Sequence, residues 1–390
     1  MKTPVVILKP KEEGRLRRGH QWVFSNEILK IDGTANVGDV VEVRDNRNSS
    51  LGYGFYHPHS LISVRIFSKE YIDPNKEFLI SKIARALKLR EKIFHIPFYR
   101  VVHGESDFLP GLIIDRFGDI ISIQTFSAAF ERRKELVHQA VEEVFSPRAI
   151  YRRDESPTRL LDGLEQTKSI VKGSEEMVDY DEEGVHFIVS PYRGQKTGFY
   201  FDQRLNRLIC RRFVYGARVL DLYCNEGGFS LNAAFAGAER VIGVESSDYA
   251  VSRARENIKS NQFRMVDVYL NDVDAYLDIL TEKKERFDVI ISDPPGFTKN
   301  RKSVPQAKAA YKRIHEKIFN LLSDGGILMT GSCSHHIYRE TFEAVVLDSA
   351  IHAGRNLQLL LRGGAAPDHP VLPGMPETEY LKFNIYSASF

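Results

Sequence analysis

The second half of the chain alternates short apolar runs with amphipathic segments, and this alternation limits the folds that it can form. From about residue 190 the apolar runs are "ARVLDLYC", "RVIGVES", "MVDVYLND", "FDVIISDPP" and "GGILMTGSCS". Predicted helices begin near Ser230 and Asp248, between these runs. Apolar strands joined by helices are typical of a parallel sheet that is covered on both faces. We therefore predict an α/β, Rossmann-like domain over residues 190–390.

Two smaller domains are predicted ahead of this sheet. Residues 1–70 contain strand-like runs such as "VGDVVEVRD" and "LISVRIFS", bounded by Gly, Asn and Pro, which predict a small β-barrel-like domain. Residues 72–189 combine two amphipathic segments with the hairpin-like "LIIDRFGDIISIQTF", which predicts a central α+β domain. Asp73 and Pro74 are the predicted cap and first-turn proline of its first helix.

The composition excludes several classes of protein. The formal net charge of the 390 residues is only +2, so a surface that binds nucleic acid would have to be local. Three scattered cysteines do not form a disulfide framework. No signal peptide and no apolar run of about 18 residues is visible, so we expect a cytoplasmic protein without a membrane span.

One basic segment near the start, "KPKEEGRLRRGHQWVFSNEI", is a candidate nucleic-acid contact. Its cations could neutralise phosphates while Trp22 stacks on an unpaired base. The alternative is a solvated turn followed by a buried tryptophan, and the segment alone does not decide between them.

The stretch "VLDLYCNEGGFSLNAAFAGAERVIGVESS" predicts a nucleotide-binding turn. A strand ends near Asp221, a turn contains Gly227, and the next strand ends in Glu245, as in a doubly wound sheet that binds a nucleotide. The dinucleotide pattern G-x-G-x-x-G is absent, and a carboxylate in this turn would repel a pyrophosphate. It suits S-adenosylmethionine, whose amino group is cationic, better than NAD. Glu245 would accept from the ribose hydroxyls and Asp272 would lie by the adenine; a plain glycine turn with a surface acid is the alternative.

A second motif, Asp293-Pro294-Pro295, follows the strand "FDVIIS". Ligands of such sheets bind at the carboxyl ends of the strands. The prolines donate no N–H groups, so Asp293 and the neighbouring carbonyls present acceptors that suit an amino-bearing base. The cations that follow, Lys299, Arg301 and Lys302, could hold a phosphate or form a solvated basic loop.

Cys333 lies in "GSCSHH", at the end of the strand next to the one that carries Asp293. It could be a buried core residue or, with His335 and His336, a zinc ligand, although a fourth ligand is lacking. As a nucleophile it would add to carbon 6 of a pyrimidine, which activates carbon 5 towards a methyl group. Asp293 would then stabilise the charge that develops on the ring.

Five segments, "GQKTGFYFDQRLNR", "VLDLYCNEGGFSL", "DPPGF", "GSCS" and "DHPVLPGMPETEYLK", together resemble the large-subunit ribosomal RNA cytosine-5 methyltransferases that carry an N-terminal PUA domain. The resemblance implies a PUA RNA-binding module at residues 1–70, a class I methyltransferase domain at the C-terminus, and Cys333 as the nucleophile. It also implies that Phe201 to Arg204 help to close the cofactor pocket. The predicted catalytic residues are Cys333 and Asp293; the predicted cofactor-binding residues are Phe201, Gln203, Arg204, Asp221, Tyr223, Asn225, Gly227, Glu245, Ser246, Asp272, Asp293 and Pro294; no metal is predicted.

Three functions stay open on the sequence alone. The leading one is S-adenosylmethionine-dependent methylation of carbon 5 of a cytosine in large-subunit ribosomal RNA. The second is methylation of a guanine or adenine nitrogen, which needs no thiolate. The third is a non-catalytic RNA-binding assembly factor. Association of the middle domain into a homodimer is left open.

Overall fold

The computed structural model describes residues 3–298 and 300–390. The chain divides into two compact units. The first comprises Met1–Val178, Val189–Phe201 and Pro367–Thr378; the second comprises Asp179–Ile188, Asp202–Ala366 and Glu379–Phe390. The sequence did not predict that a segment near the C-terminus belongs to the first unit. The domain boundaries that we predicted stay a prediction.

The first unit begins with a six-stranded sheet. Its elements are β1 (Val5–Leu8), α1 (Gly14–Arg17), β2 (Trp22–Phe24), β3 (Ile28–Asp32), β4 (Val40–Arg44), β5 (Ser50–Tyr56) and β6 (Ile62–Ser68). The strand order is β2-β6-β5-β4-β1-β3, and only β1 and β4 pair in parallel. Apolar residues of three of its strands, Val6, Val41 and Val64, are fully buried and belong to one core cluster.

A five-stranded sheet with helices completes most of the first unit. Its elements are α2 (Lys76–Glu91), β7 (Phe98–His103), β8 (Leu112–Phe117), β9 (Ile120–Thr125), α3 (Ala128–Glu131), α4 (Lys134–Phe145), β10 (Ala149–Asp154) and β11 (Thr167–Lys172). The predicted cap of the first helix is wrong: Asn75, not Asp73, precedes α2, and its side chain accepts from the Phe78 N–H at 3.0 Å. Asn75 is one residue from the helix, so its oxygen reaches an N–H of the first turn that would otherwise lack a partner.

The second unit contains the predicted parallel sheet. After the hairpin β12 (Val178–Glu182) and β13 (Val185–Val189) come α5 (Arg204–Cys210), β14 (Arg218–Leu222), α6 (Gly228–Phe235), β15 (Arg240–Glu245), α7 (Asp248–Ser260), β16 (Val266–Leu270), α8 (Val273–Glu282), β17 (Phe287–Ser292), α9 (Val304–Leu321), β18 (Leu322–Ser332), α10 (Arg339–His352), β19 (Asn356–Gly364) and β20 (Lys382–Ser389). The order is β16-β15-β14-β17-β18-β20-β19, and only β20 runs antiparallel to its neighbours. This confirms the Rossmann-like α/β prediction.

The topology places the ends of β14 and β17 at the point where the strand order reverses. Ligands of open α/β sheets bind there, beyond the carboxyl ends of the strands. The predicted helix start at Ser230 is wrong, because α6 begins at Gly228 and Ser230 lies inside its first turn. Across the part of the chain that the structure describes, no helix is both long and apolar enough to cross a membrane.

Candidate functional site

The turn after β14 has a strained backbone. Tyr223, Asn225 and Gly227 adopt φ angles of 63°, 50° and 88°. Only glycine takes such angles without steric cost, and each non-glycine residue there costs about 1–3 kcal/mol. A turn of this kind persists only where its surroundings fix it, and such turns cluster at ligand-binding sites.

Glu245, at the end of β15, fixes this turn. Its carboxylate accepts from the Asn225 N–H at 3.1 Å, and from the N–H groups of Ser246 and Ser247 at 2.8 and 2.9 Å. Oε1 accepts both serine bonds, whereas Oε2 accepts the Asn225 bond and keeps a further lone pair, so the predicted acceptance from ribose hydroxyls is compatible with Oε2. Glu245 thus joins the two strand ends that a nucleotide would bridge.

Asp221 is the most unusual carboxylate of this region. One oxygen, Oδ2, accepts from the N–H and hydroxyl of Ser230 at 2.9 and 2.6 Å, and Oδ1 is buried without a hydrogen-bond partner in residues 3–298 and 300–390. Burial raises the pKa of Asp221 to about 7, against the effect of the Ser230 bonds, and the negative charges of Asp293 and Glu245 add to the rise. An unpaired carboxylate among other acids is a site for a cation.

Glu226 is a residue of the same turn that the sequence analysis missed. It is buried, its Oε2 has no hydrogen-bond partner within the described ranges, and burial raises its pKa to about 7 although Arg253 opposes the rise. The sequence signal was an acid directly before a glycine pair in a predicted ligand turn. Asp221 and Glu226 therefore both change charge near neutral pH.

Three further predicted cofactor residues lie in this turn or on neighbouring segments. Asp272 is exposed and caps α8, because its Oδ1 accepts from the Ala275 N–H at 3.0 Å. Tyr223 is half-buried, and burial, then the charge of Asp272, raise the pKa of its hydroxyl. Ser246 is exposed beside Glu245. Their predicted contacts with the cofactor stay predictions.

The structure brings Cys333 next to the Asp293-Pro294-Pro295 motif, because β17 and β18 are parallel neighbours. The Cys333 Sγ donates to the Pro294 carbonyl at 3.8 Å. The thiol is half-buried, whereas the other two cysteines are buried in the core. Among the described residues no group of His, Cys, Asp and Glu could hold a metal ion, and His335 instead lies against the Tyr380 ring, 5.6 Å between centroids.

The two serines around Cys333 are held by a buried tyrosine of α9. The Tyr311 hydroxyl donates to the Ser332 Oγ at 2.9 Å and lies 3.3 Å from the Ser334 Oγ. Ser334 also accepts from the Phe297 N–H at 3.1 Å, just after the proline motif. Both flanks of Cys333 are therefore fixed relative to β17, which limits the directions its side chain can take.

Lys382 is a second residue that the sequence analysis missed. It begins β20, directly opposite Ser332, and its buried ammonium donates to the carbonyls of Ser334 and Tyr380 at 2.7 Å each. Burial lowers the pKa of Lys382 to about 8, and the charge of Cys333 opposes this shift. A cation beside a thiol favours the reactive thiolate. The sequence signal was its place as the last residue of "DHPVLPGMPETEYLK", one of the five segments that carry the resemblance.

A matched pair of glycines tests the role of Asp293. A Cβ at Gly331 would lie 2.8 Å from the Asp293 Oδ1, whereas one at Gly296 would meet only the Cys333 Sγ at 3.7 Å and the Ser334 Oγ at 3.8 Å. We expect Gly331→Ala to displace the carboxylate and lower the rate of the predicted methyl transfer about tenfold or more, with a Tm close to wild type. Gly296→Ala should stay within about twofold, because 3.7 Å is an ordinary contact. Equal rates for the two variants would show that the position of Asp293 does not matter.

The segment Phe201 to Arg204 is divided between the two units: Phe201 belongs to the first, and residues 202–204 belong to the second. In the first unit Phe201 packs on Phe117, 5.0 Å between ring centroids. In the second, the Gln203 Oε1 accepts from the Asn206 side chain at 2.6 Å, and Arg204 donates to the Tyr180 hydroxyl at 2.7 Å. These contacts position the segment, and its predicted role at the cofactor pocket stays a prediction.

The two predicted basic regions differ in what the structure shows. Of the cations after the proline motif, Arg301 and Lys302 are exposed, and Lys299 lies outside the described residues. In the N-terminal segment, Arg17 pairs with Asp45 at 2.6 Å and the Trp22 indole donates to Glu105 at 2.8 Å. The ion pair and the indole bond favour the interpretation as a packed turn for that segment.

Two family models match the chain. A PUA-like domain covers residues 6–69, and a methyltransferase domain covers residues 214–364. Ribosomal RNA large subunit methyltransferase I of Escherichia coli O139:H28 is 34% identical in an alignment of 393 positions, which covers 98% of this chain and 98% of that protein. The chain belongs to the ribosomal RNA large subunit methyltransferase I family. Membership confirms the predicted family of PUA-containing ribosomal RNA methyltransferases, while the methylated base stays a prediction.

Solved structures agree with the fold of this family member. SMU.776, assigned as a methyltransferase and solved with SAH, superposes with a TM-score of 0.85 at 19% identity and covers 98% of this chain and 99% of its own. A Streptococcus mutans protein assigned as a SAM-dependent methyltransferase gives 0.84 at 19% identity, with the same coverage. At such identities the likeness shows the fold alone, and it confirms the Rossmann-like domain.

The methyltransferase family and the geometry of the turn agree on the kind of cofactor that fits. The unpaired Asp221 Oδ1 and the unpaired Glu226 Oε2 are acceptors for a cationic amino group. Glu245 at the end of the next strand is placed to accept from a ribose, and a nearby pyrophosphate would meet three carboxylates. The turn therefore fits S-adenosylmethionine and not a dinucleotide.

Proposed function

We propose that the protein transfers a methyl group from S-adenosylmethionine to carbon 5 of a cytosine in large-subunit ribosomal RNA, through a covalent adduct with Cys333. The observation that carries the proposal is the half-buried thiol at the end of β18. It lies against the Pro294 carbonyl and shares its surroundings with the Lys382 ammonium. A methyltransferase that acts on a ring nitrogen has no use for such a thiol.

The residues divide the chemistry between them. The Cys333 thiolate adds to carbon 6, which makes carbon 5 nucleophilic towards the methyl group; a base then takes the carbon-5 proton, and the carbon–sulfur bond breaks to release the thiolate. Asp293 in its protonated form donates to N3 and accepts from the amino group of the cytosine, which stabilises the negative charge that develops on the ring. Lys382 stabilises the thiolate before attack. S-adenosylmethionine, when bound, supplies an electrophilic methyl group.

The cofactor is held by the residues of the strained turn and its neighbours. Asp221 binds the amino group, Glu245 the ribose hydroxyls and Asp272 the adenine side of the site. The remaining predicted residues shape the pocket through backbone and side-chain contacts: Phe201, Gln203, Arg204, Tyr223, Asn225, Gly227, Ser246 and Pro294. Support for this assignment comes from the unpaired buried oxygen of Asp221.

The raised pKa of Asp221, about 7, predicts how cofactor binding depends on pH. Below pH 7 the carboxyl is neutral and attracts a cation weakly; above pH 7 it is ionised and binds the cation more tightly. Affinity for S-adenosylmethionine should rise by about tenfold between pH 6 and pH 8. Asp221→Asn should weaken binding and flatten this dependence, as measured by calorimetry. Glu226→Gln is the matched comparison, because burial raises the pKa of Glu226 to about 7 as well. A flat curve for Glu226→Gln together with a wild-type curve for Asp221→Asn would assign the titration to Glu226.

The proposed function is tested by identifying the methylated nucleoside. Wild-type protein is incubated with labelled S-adenosylmethionine and unmodified large-subunit ribosomal RNA, and the digested RNA is separated into nucleosides. Labelled 5-methylcytidine is expected. Label on a guanine or adenine nitrogen would replace the proposal by N-methylation, and RNA binding without any label would indicate an assembly factor.

The setting of the reaction follows from the substrate. We place the enzyme in the cytoplasm with large-subunit ribosomal RNA as its partner, as a factor of ribosomal RNA processing. A homodimer formed through the middle domain stays a prediction, which sedimentation of the full chain would test.

A further inference from the structure

One face of α2 in the first unit carries a groove that the proposed chemistry does not use. The groove has a volume of about 350 Å³. Four cations, one exposed aromatic ring and a few small or apolar side chains line it; we call it the α2 groove, and its residues are Lys82, Arg85, Ala86, Lys88, Leu89, Lys92, Ser106, Asp107 and Phe108. The four cations recur every three or four residues, so they share one helical face.

The four cations of the α2 groove have no acidic partner among the described residues. In the part of the chain that the structure describes, none of them forms an ion pair, whereas Arg90 of the same helix is bound by Asp107 at 2.6 Å. Lys82 is half-buried, and burial, then the charge of Arg85, lower the pKa of its ammonium. Crowded cations without counterions repel one another, and a polyanion would relieve this repulsion.

Phe108 is presented at the edge of the groove in a strained conformation. It is 42% exposed and has a φ of 59°, a region that bulky residues rarely adopt. The Lys82 ammonium lies 5.2 Å from the centre of its ring. An exposed aromatic ring beside cations can stack on an unpaired base while the cations hold phosphates.

A buried ion pair fixes the turn that carries Phe108 to α2. The Arg90 guanidinium binds both oxygens of Asp107, at 2.6 and 2.8 Å, and the His103 N–H donates to Asp107 at 2.6 Å. Arg90 is fully buried and also donates to the Arg100 carbonyl at 3.0 Å. The ring and the cationic face are therefore held in one arrangement before any ligand arrives, which lowers the entropic cost of binding.

Ser106, in the same turn, adds a polar group to the wall of the groove. Its side chain is buried, and its Oγ has no hydrogen-bond partner among residues 3–298 and 300–390. A buried hydroxyl without a partner is costly unless something else satisfies it. A phosphate or ribose oxygen in the groove would supply that partner after a small rotation of the hydroxyl.

We propose that the α2 groove binds a single-stranded segment of the RNA substrate, with phosphates on Arg85, Lys88 and Lys92 and a base stacked on Phe108. The proposal rests on the proposed function, because it takes the partner to be ribosomal RNA. It assigns RNA binding to the central part of the first unit in addition to the PUA-like sheet. The groove contributes to affinity and has no part in the chemistry.

The test compares two double variants of the full chain that remove the same charge. Arg85→Gln/Lys88→Gln alters the groove, and Lys134→Gln/Lys283→Gln alters exposed lysines elsewhere. Binding of unmodified large-subunit ribosomal RNA is measured over a range of salt concentrations. The groove variant should bind about tenfold more weakly, with the slope of log K against log salt reduced by about 1 to 2. The control variant should bind RNA as wild type does. In turnover assays, the groove variant should show a higher KM for RNA and an unchanged kcat.

A second variant separates stacking from charge. Phe108→Ala should weaken binding about tenfold and leave the salt slope unchanged, because stacking releases no counterions. Tyr215→Ala, which removes another exposed ring, should have no effect. Wild-type-like binding by both groove variants would overturn the proposal. Binding needs no turnover, so a protein that binds RNA through the groove but methylates another base would refute only the proposed function.

Discussion

Replacing Cys333 with alanine is expected to abolish methyl transfer to RNA, lowering the rate by about a thousandfold or more. Without the thiolate no adduct forms at carbon 6, and carbon 5 of a cytosine is too weak a nucleophile to take the methyl group. The side chain is only half-buried, and its thiol bond to the Pro294 carbonyl is weak. The variant should therefore fold and bind S-adenosylmethionine as wild type does. Both are checked by calorimetry on the sample used for the rate.

A second cysteine, Cys210, is the control for this result. Cys210 is fully buried, and burial raises the pKa of its thiol, so it stays protonated at neutral pH. Cys210→Ala removes one buried sulfur and should cost about 1–2 kcal/mol of stability while leaving the rate per folded molecule close to wild type. Loss of activity in Cys210→Ala but not in Cys333→Ala would mean that the nucleophile is misassigned.

A covalent mechanism also predicts a trapped complex. RNA in which the target cytosine carries fluorine at carbon 5 cannot lose a proton there, so the Cys333 thioether to carbon 6 should persist. Wild type should form a complex that survives denaturing electrophoresis, and Cys333→Ala should not. If neither protein forms it although RNA is methylated, Cys333 is a strand-end core residue and methylation takes another route.

The sequence predicted the parts of the site that depend on local pattern. Apolar runs and glycines predicted the parallel sheet and the turn near Gly227, and adjacency of parallel strands predicted that Cys333 and Asp293 would lie close together. Asp221 was predicted as a ligand, but its bonds to Ser230 were not, because Ser230 was taken as a helix start. The helix begins two residues earlier, and this shift turns the Ser230 hydroxyl towards Asp221.

The parts that were missed depend on contacts between distant segments. Lys382 reaches the end of β18 only because β20 inserts antiparallel between β18 and β19, and no local pattern encodes that insertion. Tyr311 holds Ser332 from α9, 21 residues away. The return of Pro367–Thr378 to the first unit is equally non-local, since the buried Asp368 accepts from the Arg100 N–H at 3.0 Å across 268 positions. The periodicity of apolar residues predicts individual helices and strands, and only the assembled sheet shows which strand ends lie next to one another.

Replacing Lys382 with methionine is expected to lower the rate at pH 7 by about 10- to 100-fold and to move the acidic limb of the pH–rate profile to higher pH. Lys382 carries its charge below about pH 8, so at pH 7 wild type has a buried cation beside the thiol. Without that cation the thiolate forms only at higher pH. A shift of that limb by one pH unit corresponds to about 1.4 kcal/mol of lost stabilisation of the thiolate.

The pH profile separates this electrostatic role from a structural one. Methionine also leaves the Ser334 and Tyr380 carbonyls without their donor, which costs about 1–3 kcal/mol of stability. A purely structural loss would lower the rate equally at every pH, whereas loss of the cation should leave a rate that recovers towards wild type above pH 8. Lys317→Met is the control, since Lys317 of α9 pairs with Asp274 and Asp278 of α8. A uniformly depressed profile for Lys382→Met would assign Lys382 to holding the strand end alone, and the thiolate would then need another source of stabilisation.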